Sequence, residues 1–172
     1  MNRQKKIKKI VTYGIFISFA LVASYIETLI PIPLGIPGAK IGLANGVTIV
    51  MLCLVGWKEA SILSIFRVVL AGILFGNLFA IMYSLSGAIL SLAFMILLKK
   101  MKFNLVTVSI VGGIAHNLGQ LVFAFFVVEN GRVFLYFPVL VLLGSIAGTC
   151  IGILGSILVK RLNCLNIREN FM

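Results

Sequence analysis

The sequence predicts an all-α integral membrane protein, a bundle of six transmembrane helices in one domain spanning residues 1–172. Three observations predict this class. Of the 172 residues 61% are hydrophobic and only 11% are charged, which is too apolar for a soluble domain. Apolar runs of about 20 residues, enough to cross about 30 Å of hydrocarbon, recur along the chain. Basic residues cluster in alternate connections between these runs.

Six spans follow from these runs. They lie near 9–30, 41–56, 59–76, 78–98, 105–128 and 133–159. The first run is too long for the apolar region of a signal peptide and further spans follow it, so we expect a retained helix. The second is short and interrupted by glycine. Only FGNLF at 75–79 separates the third from the fourth.

The charge pattern predicts the orientation. One side carries the Lys-rich N-terminal segment, GWKE at 56–59, KKMK at 99–102 and KR at 160–161. The other side carries PIPLGIPG at 31–38, a turn at Asn77 and ENGR at 129–132. Because basic loops stay in the cytoplasm, we expect a multi-pass membrane protein with cytoplasmic N- and C-termini.

Several function classes are not expected. The net charge of +11 is divided among short clusters between apolar runs, so nucleic acid is not an expected partner. Three scattered cysteines and a single histidine predict neither a metal site nor a disulfide framework, and no cofactor is expected. The sequence lacks the GxxxxGK[ST] phosphate loop, so we do not expect the chain itself to hydrolyse ATP.

The stretch IPGAKIGLANGVT at 36–48 places polar residues where the second span should begin. Pro31, Pro33 and Pro37 end the first helix, and Lys40 opens a short second one. Asn45 follows about 7 Å deeper. Broken helices beside polar residues are tolerated at membrane depth where they line a cavity. The alternative is a lysine that reaches the outer headgroups and an asparagine that joins two helices.

Two charged residues fall inside the predicted spans. Arg67 lies midway along the third helix, where an arginine facing lipid would cost about 3 kcal/mol or more. It therefore faces the protein interior, either as a structural partner of Glu27 or as a contact for an anionic substrate. Glu27 lies one turn before the end of the first helix. It is a candidate site residue or an interfacial carboxylate near water.

The fifth helix carries GGIAHNLGQL at 112–121. His116 and Gln120 are four residues apart and share a helical face, with Asn117 beside them. These groups could be hydrogen-bonded packing residues. Their density near mid-span favours a polar pocket together with Lys40, Asn45 and Arg67.

Small residues mark two helices as candidate docking surfaces. In the sixth helix a small residue recurs every fourth position, at Gly144, Gly148 and Gly152. Such a stripe lets another backbone approach closely, and packing within the chain is the simpler explanation. The first helix has a weaker stripe at Thr12, Ala20 and Ser24, interrupted by Phe16.

The stretches PGAKIGLANGVT, FRVVLAGILFG and GGIAHNLGQL together resemble the bacterial Gx transporter family. Its members are often labelled heptaprenyl diphosphate synthase component I, and they look like substrate-binding (S) components of energy-coupling-factor transporters. The resemblance implies a six-helix bundle in the bacterial cell membrane that works with a membrane coupling subunit and ATPases. It also implies that the small-residue face of the first helix, near Ala20 and Ser24, contacts the coupling subunit.

The residues argue against prenyl synthase catalysis. Trans-prenyl elongation needs Asp-rich motifs that hold magnesium on a diphosphate, but this chain has no aspartate and only four dispersed glutamates. We therefore expect no enzyme activity. The favoured function is a membrane subunit that binds a small anionic or amphipathic molecule for uptake. The alternatives are a non-catalytic partner in isoprenoid, heptaprenyl diphosphate or quinone metabolism, and a channel or scaffold.

Overall fold

The computed structural model describes residues 3–29 and 42–163, and these two stretches contain helices and turns but no strand. The helices are α1 (Arg3–Leu29), α2 (Leu43–Leu54), α3 (Trp57–Phe75), α4 (Leu78–Lys100), α5 (Leu105–Val128) and α6 (Phe137–Asn163). A 3₁₀ turn at Gly131–Tyr136 leads into α6. The all-α class and the six helices of the prediction are confirmed.

Four segments of the described chain are long and apolar enough to cross a membrane. They are Ile7–Leu29, Leu78–Lys100, Leu105–Val128 and Gly131–Leu162. Helix α2 is apolar but has only 12 residues, about 18 Å of helix. Helix α3 has 19 residues, but Lys58, Glu59 and Arg67 lie among them. The crossing of all six helices and the cytoplasmic position of the termini therefore stay predictions.

The short helix α2 lies inside the predicted span 41–56. Within the described residues the helix covers only Leu43–Leu54. Gly42 (φ +87°) precedes it and Gly56 (φ +157°) follows it, and both backbone conformations disfavour any other residue. Helix α1 begins at Arg3, before the predicted span near 9–30, and the candidate span within it is Ile7–Leu29.

Asparagine side chains begin two of the long helices. The Asn77 side chain accepts a hydrogen bond from the Ala80 N–H at 2.8 Å, and Asn104 accepts one from Thr107 N–H at the same distance. These contacts satisfy donors that the first turn of a helix leaves without partners. The predicted turn at Asn77 is thus a helix cap that separates α3 from α4.

Helices α4, α5 and α6 pack backbone against backbone. A Cβ added to Gly113 of α5 would lie 2.8 Å from the Gly144 carbonyl oxygen of α6. One added to Gly148 would lie 2.6 Å from the Ile110 Cα, and one at Gly152 would lie 2.8 Å from the Val106 Cα. Because a real Cβ does not fit at such distances, the glycine stripe of α6 is packing within the chain. It is not an exposed docking surface in this conformation.

Larger side chains fill the space between α1, α2, α3 and the α4–α6 unit. The buried core of this region includes Phe16, Ile49, Met51, Leu54 and Leu63. Many large apolar side chains instead point outward, among them Phe19, Phe66, Leu78, Phe126 and Leu142. Apolar residues outside and polar residues inside, with four long apolar helices, are typical of a membrane protein.

Polar contacts between described residues hold the end of the bundle that the charge pattern places in the cytoplasm. The Lys99 ammonium, in the last turn of α4, donates to the Leu52 carbonyl in the last turn of α2. A cation there compensates the carbonyl end of a helix. Lys9 of α1 and Glu59 of α3 form an ion pair at 3.9 Å.

Candidate binding site

The inner face of α1 carries the first part of the site. Phe16, Ala20, Ser24 and Glu27 recur at intervals of three and four residues, and all four are buried. This face packs against α2 and α3. Ala20 is 0% exposed, so the predicted docking residues Ala20 and Ser24 do not form an accessible surface in this conformation.

Arg67 lies at the junction of α1, α2 and α3. It is 6% exposed, and its Nη2 donates to the Asn45 Oδ1 at 3.5 Å. Glu27 of α1 is close enough for its charge to act on the guanidinium. The structure therefore places Arg67 in contact with Asn45 and within range of the Glu27 charge, and the two sequence interpretations of Arg67, structural partner and substrate contact, are compatible with this position.

Polar atoms without partners concentrate at this junction. In the described part of the chain, Arg67 Nε and Asn45 Nδ2 are buried and have no hydrogen-bond acceptor. The hydroxyls of Ser24 and Ser64 are also buried without a partner, and each lies three residues before a charged site residue, Glu27 or Arg67. Buried polar groups are rarely left unsatisfied, so a cluster of them requires an explanation.

The polar residues of α5 contact two neighbouring helices, α4 and α6. Asn117 Nδ2 donates to the Leu140 carbonyl of α6 at 2.9 Å. His116 and Gln120 face α4. A Cβ added to Gly87 of α4 would lie 2.9 Å from a side-chain atom of His116 and 2.9 Å from a side-chain atom of Gln120. Gln120 is 1% exposed, and its Nε2 has no acceptor among the described residues.

A small cavity joins these elements and has room for about one water molecule. Asn45 of α2 and His116 and Asn117 of α5 line it together. The remaining wall consists of Gly42, Ile49, Met95, Ser109, Gly112, Gly113, Gly148 and Ile151.

The structure thus brings together only part of the predicted pocket. Asn45, His116 and Asn117 share the cavity, while Arg67 lies behind Asn45 and does not line it. Gln120 faces α4 instead of the cavity wall. Lys40 lies outside the described residues.

The sequence analysis missed the small residues that make room for the cavity. Ser109, Gly112 and Gly113 lie on the face of α5 that carries His116, at helical spacing. The same seam includes a hydrogen bond from the Ser91 hydroxyl of α4 to the Gly112 carbonyl at 2.8 Å. A search for small residues three, four and seven positions before His116 would have found this wall.

Aromatic rings lie at the outer end of the α4–α5 seam. Phe79 and Phe123 have ring centroids 5.6 Å apart, and Tyr83 lies 6.3 Å from Phe123. Phe123 is one turn beyond Gln120. The polar seam is therefore followed by an apolar, aromatic section towards the predicted outer surface.

The family model for heptaprenyl diphosphate synthase component I matches residues 16–158, most of the chain. The chain belongs to this family. The match runs from Phe16 in α1 to Leu158 in α6, including the cavity and the Arg67 junction, and confirms the family expected from the three sequence stretches. The family description names one component of a synthase, which implies further subunits without identifying them. No curated protein and no solved structure shows significant similarity to this chain.

Proposed function

We propose that this protein is a membrane substrate-binding subunit for the uptake of a small anionic or amphipathic molecule. Separate coupling and ATPase subunits would supply the energy. The observation that carries the proposal is the buried Arg67 guanidinium, which keeps an N–H donor without an acceptor in the described chain, directly behind a residue of the cavity.

The energetics of Arg67 support a ligand. Burying a cation costs several kcal/mol unless charges and hydrogen bonds compensate it. Glu27 supplies charge, but Asn45 supplies only one long hydrogen bond. An arginine kept only for stability would be expected to have its donors satisfied. A bound anion would provide the missing acceptors and would enlarge the cavity as it enters.

The amphipathic part of the proposal comes from the surroundings of the polar groups. The cavity wall is mostly glycine and apolar side chains, and the Phe79, Tyr83 and Phe123 rings lie further out along the α4–α5 seam. A ligand with a polar head and an apolar body would match this order.

The coupling partner would contact a surface that lipid or protein can reach. On α1 this is the face of Phe19, Val22 and Ile26, all more than 40% exposed. Ala20 and Ser24 lie on the opposite, buried face. A subunit that held these two residues would first have to separate α1 from α2 or α3.

A second candidate function follows from the family description. A component of heptaprenyl diphosphate synthase could be a non-catalytic membrane partner of a soluble prenyltransferase, in isoprenoid or quinone metabolism. The absence of aspartate in the sequence leaves magnesium-dependent condensation to that partner.

Copurification separates the two functions. The tagged chain, expressed at native level, is extracted in mild detergent and its partners are identified by mass spectrometry. Membrane coupling and ATPase subunits, recovered in fixed ratio, are the expected result. Recovery of a soluble prenyltransferase without ATPase subunits would reject the uptake function in favour of the second candidate.

A further inference from the structure

We infer that the ligand presents a carboxylate, and that this group binds side-on to Nε and Nη2 of Arg67 while Asn45 changes from acceptor to donor. The inference rests on the proposed function. It adds the chemical class of the ligand and the way in which the site recognises it.

Two nitrogens of Arg67 form a matched pair of donors. The N–H of Nε and the nearer N–H of Nη2 point in parallel and match the two oxygens of a carboxylate. In the structure Nη2 reaches the Asn45 Oδ1 at 3.5 Å, well beyond the usual N–H···O distance of about 2.9 Å. Nε has no acceptor among the described residues. A single distant amide oxygen therefore accepts from only one of two donors that are suited to two oxygens.

Asn45 lies between this donor pair and the cavity. It lines the cavity, whereas Arg67 does not, and its Nδ2 also lacks an acceptor in the described chain. A group that enters from the cavity reaches Arg67 by displacing the Asn45 oxygen. A half-turn of the amide then directs Nδ2 towards the same group. The entering group accepts hydrogen bonds from three N–H groups, so the unsatisfied donors of both side chains gain an acceptor.

The number of donors favours a carboxylate over a phosphate. A carboxylate is planar, has two oxygens and carries one charge. A phosphate monoester carries about two charges and three terminal oxygens at neutral pH. Among the described residues, Arg67 is the one buried lysine or arginine. The cavity, with room for about one water molecule, also needs to expand less for the planar group.

An internal carboxylate tests the inference without knowledge of the ligand. Asn45→Asp places a carboxylate of nearly the same shape against Arg67, and Asn45→Leu is the matched control without polar atoms. Both changes are made in the Arg67 protein and in Arg67→Lys, which keeps the charge but has no fork of donors. Since Glu27 also acts on Arg67, the set is repeated with Glu27→Gln.

Thermal unfolding in detergent gives the result. We expect Asn45→Asp to raise the Tm by about 3 °C or more in the Arg67 protein, and to have no such effect in Arg67→Lys. The gain should be larger with Glu27→Gln. An equal gain in both backgrounds, a Tm at or below that of Asn45→Leu, or failure of Asn45→Asp alone to fold would overturn the inference.

Small probes then test the class of ligand directly. Butyrate, butyl phosphate and butanol are compared at equal concentration and ionic strength. Butyrate should raise the Tm of the unsubstituted protein but not that of Asn45→Asp or Arg67→Lys. A response to butyl phosphate alone, or to neither salt, would contradict the inference. If Arg67→Ala loses a retained ligand while the Asn45→Asp comparison shows no gain, the carboxylate is rejected and the binding function stands.

Discussion

Arg67 of α3 and Asn45 of α2 meet through a 3.5 Å hydrogen bond inside the helix bundle, and within the described chain each keeps a buried N–H donor without an acceptor. The two residues are 22 positions apart in sequence. Arg67 is a charged group that would be costly to expose to lipid, and Asn45 lines a cavity that a ligand could enter. The proposed function depends on this relationship.

Topology can be tested with fused reporters. Reporters placed after Lys102 and after Arg161 should show a cytoplasmic location, because both follow basic clusters. One inserted near Gly131 should show an outside location. Alkaline phosphatase fusions report the outside location, and fluorescent-protein fusions report the cytoplasmic one. A cytoplasmic signal at Gly131 would mean that the short α2 or the charged α3 does not cross the membrane.

The close contact of α5 and α6 predicts sensitivity at Gly148. Gly148→Leu should destabilise the protein by about 3 kcal/mol or more, because its Cβ would lie 2.6 Å from the Ile110 Cα. Yield and Tm after extraction measure the effect. Gly14→Leu is the matched control, since nothing lies within 4 Å of a Cβ there. Similar stability of the two variants would show that α6 does not pack on α5 in this way.

Ala20→Trp tests the position of the small-residue face of α1. Since Ala20 is 0% exposed, the indole should disturb the packing of α1 on α2 and α3 and lower the Tm by several degrees. The neighbouring exposed position, in Phe19→Trp, should be nearly neutral for stability. A stable Ala20→Trp protein that binds its ligand but does not support uptake would instead favour Ala20 as a docking residue.

The Lys99 contact predicts a local contribution to stability. Lys99→Met removes the donor to the Leu52 carbonyl and should cost about 1–2 kcal/mol. Lys100→Met, at the adjacent exposed position, removes the same charge without that contact. The difference in Tm between the two variants measures the hydrogen bond. Equal values would mean that Lys99 does not hold the end of α2.

The helices could be predicted from sequence because hydrophobic length and loop charge act locally. The 61% hydrophobic composition and the basic clusters are sufficient for the class, and the turn predicted at Asn77 separates α3 from α4. The limits of α2 depend on two glycines with positive φ, so the length of the apolar run does not locate them.

The site was harder to predict because it depends on how helices are rotated. Residues four apart share a face, but spacing does not tell which neighbour that face meets. Gln120 was therefore assigned to the pocket, whereas it packs towards Gly87. Similarly, the repeat at Gly148 showed that a backbone would approach, but not that the backbone would be that of α5.

Native mass spectrometry of the purified protein tests the central claim most directly. The unsubstituted protein should retain a small molecule, and Arg67→Ala should lose it while being expressed and inserted normally, since removing the charge also removes its desolvation cost. Occupancy should fall at least about tenfold, because hydrogen bonds to a charged group are worth about 1.5–3 kcal/mol. Arg132→Ala, at an exposed position, should keep the molecule. Equal retention by Arg67→Ala and Arg132→Ala would contradict the account.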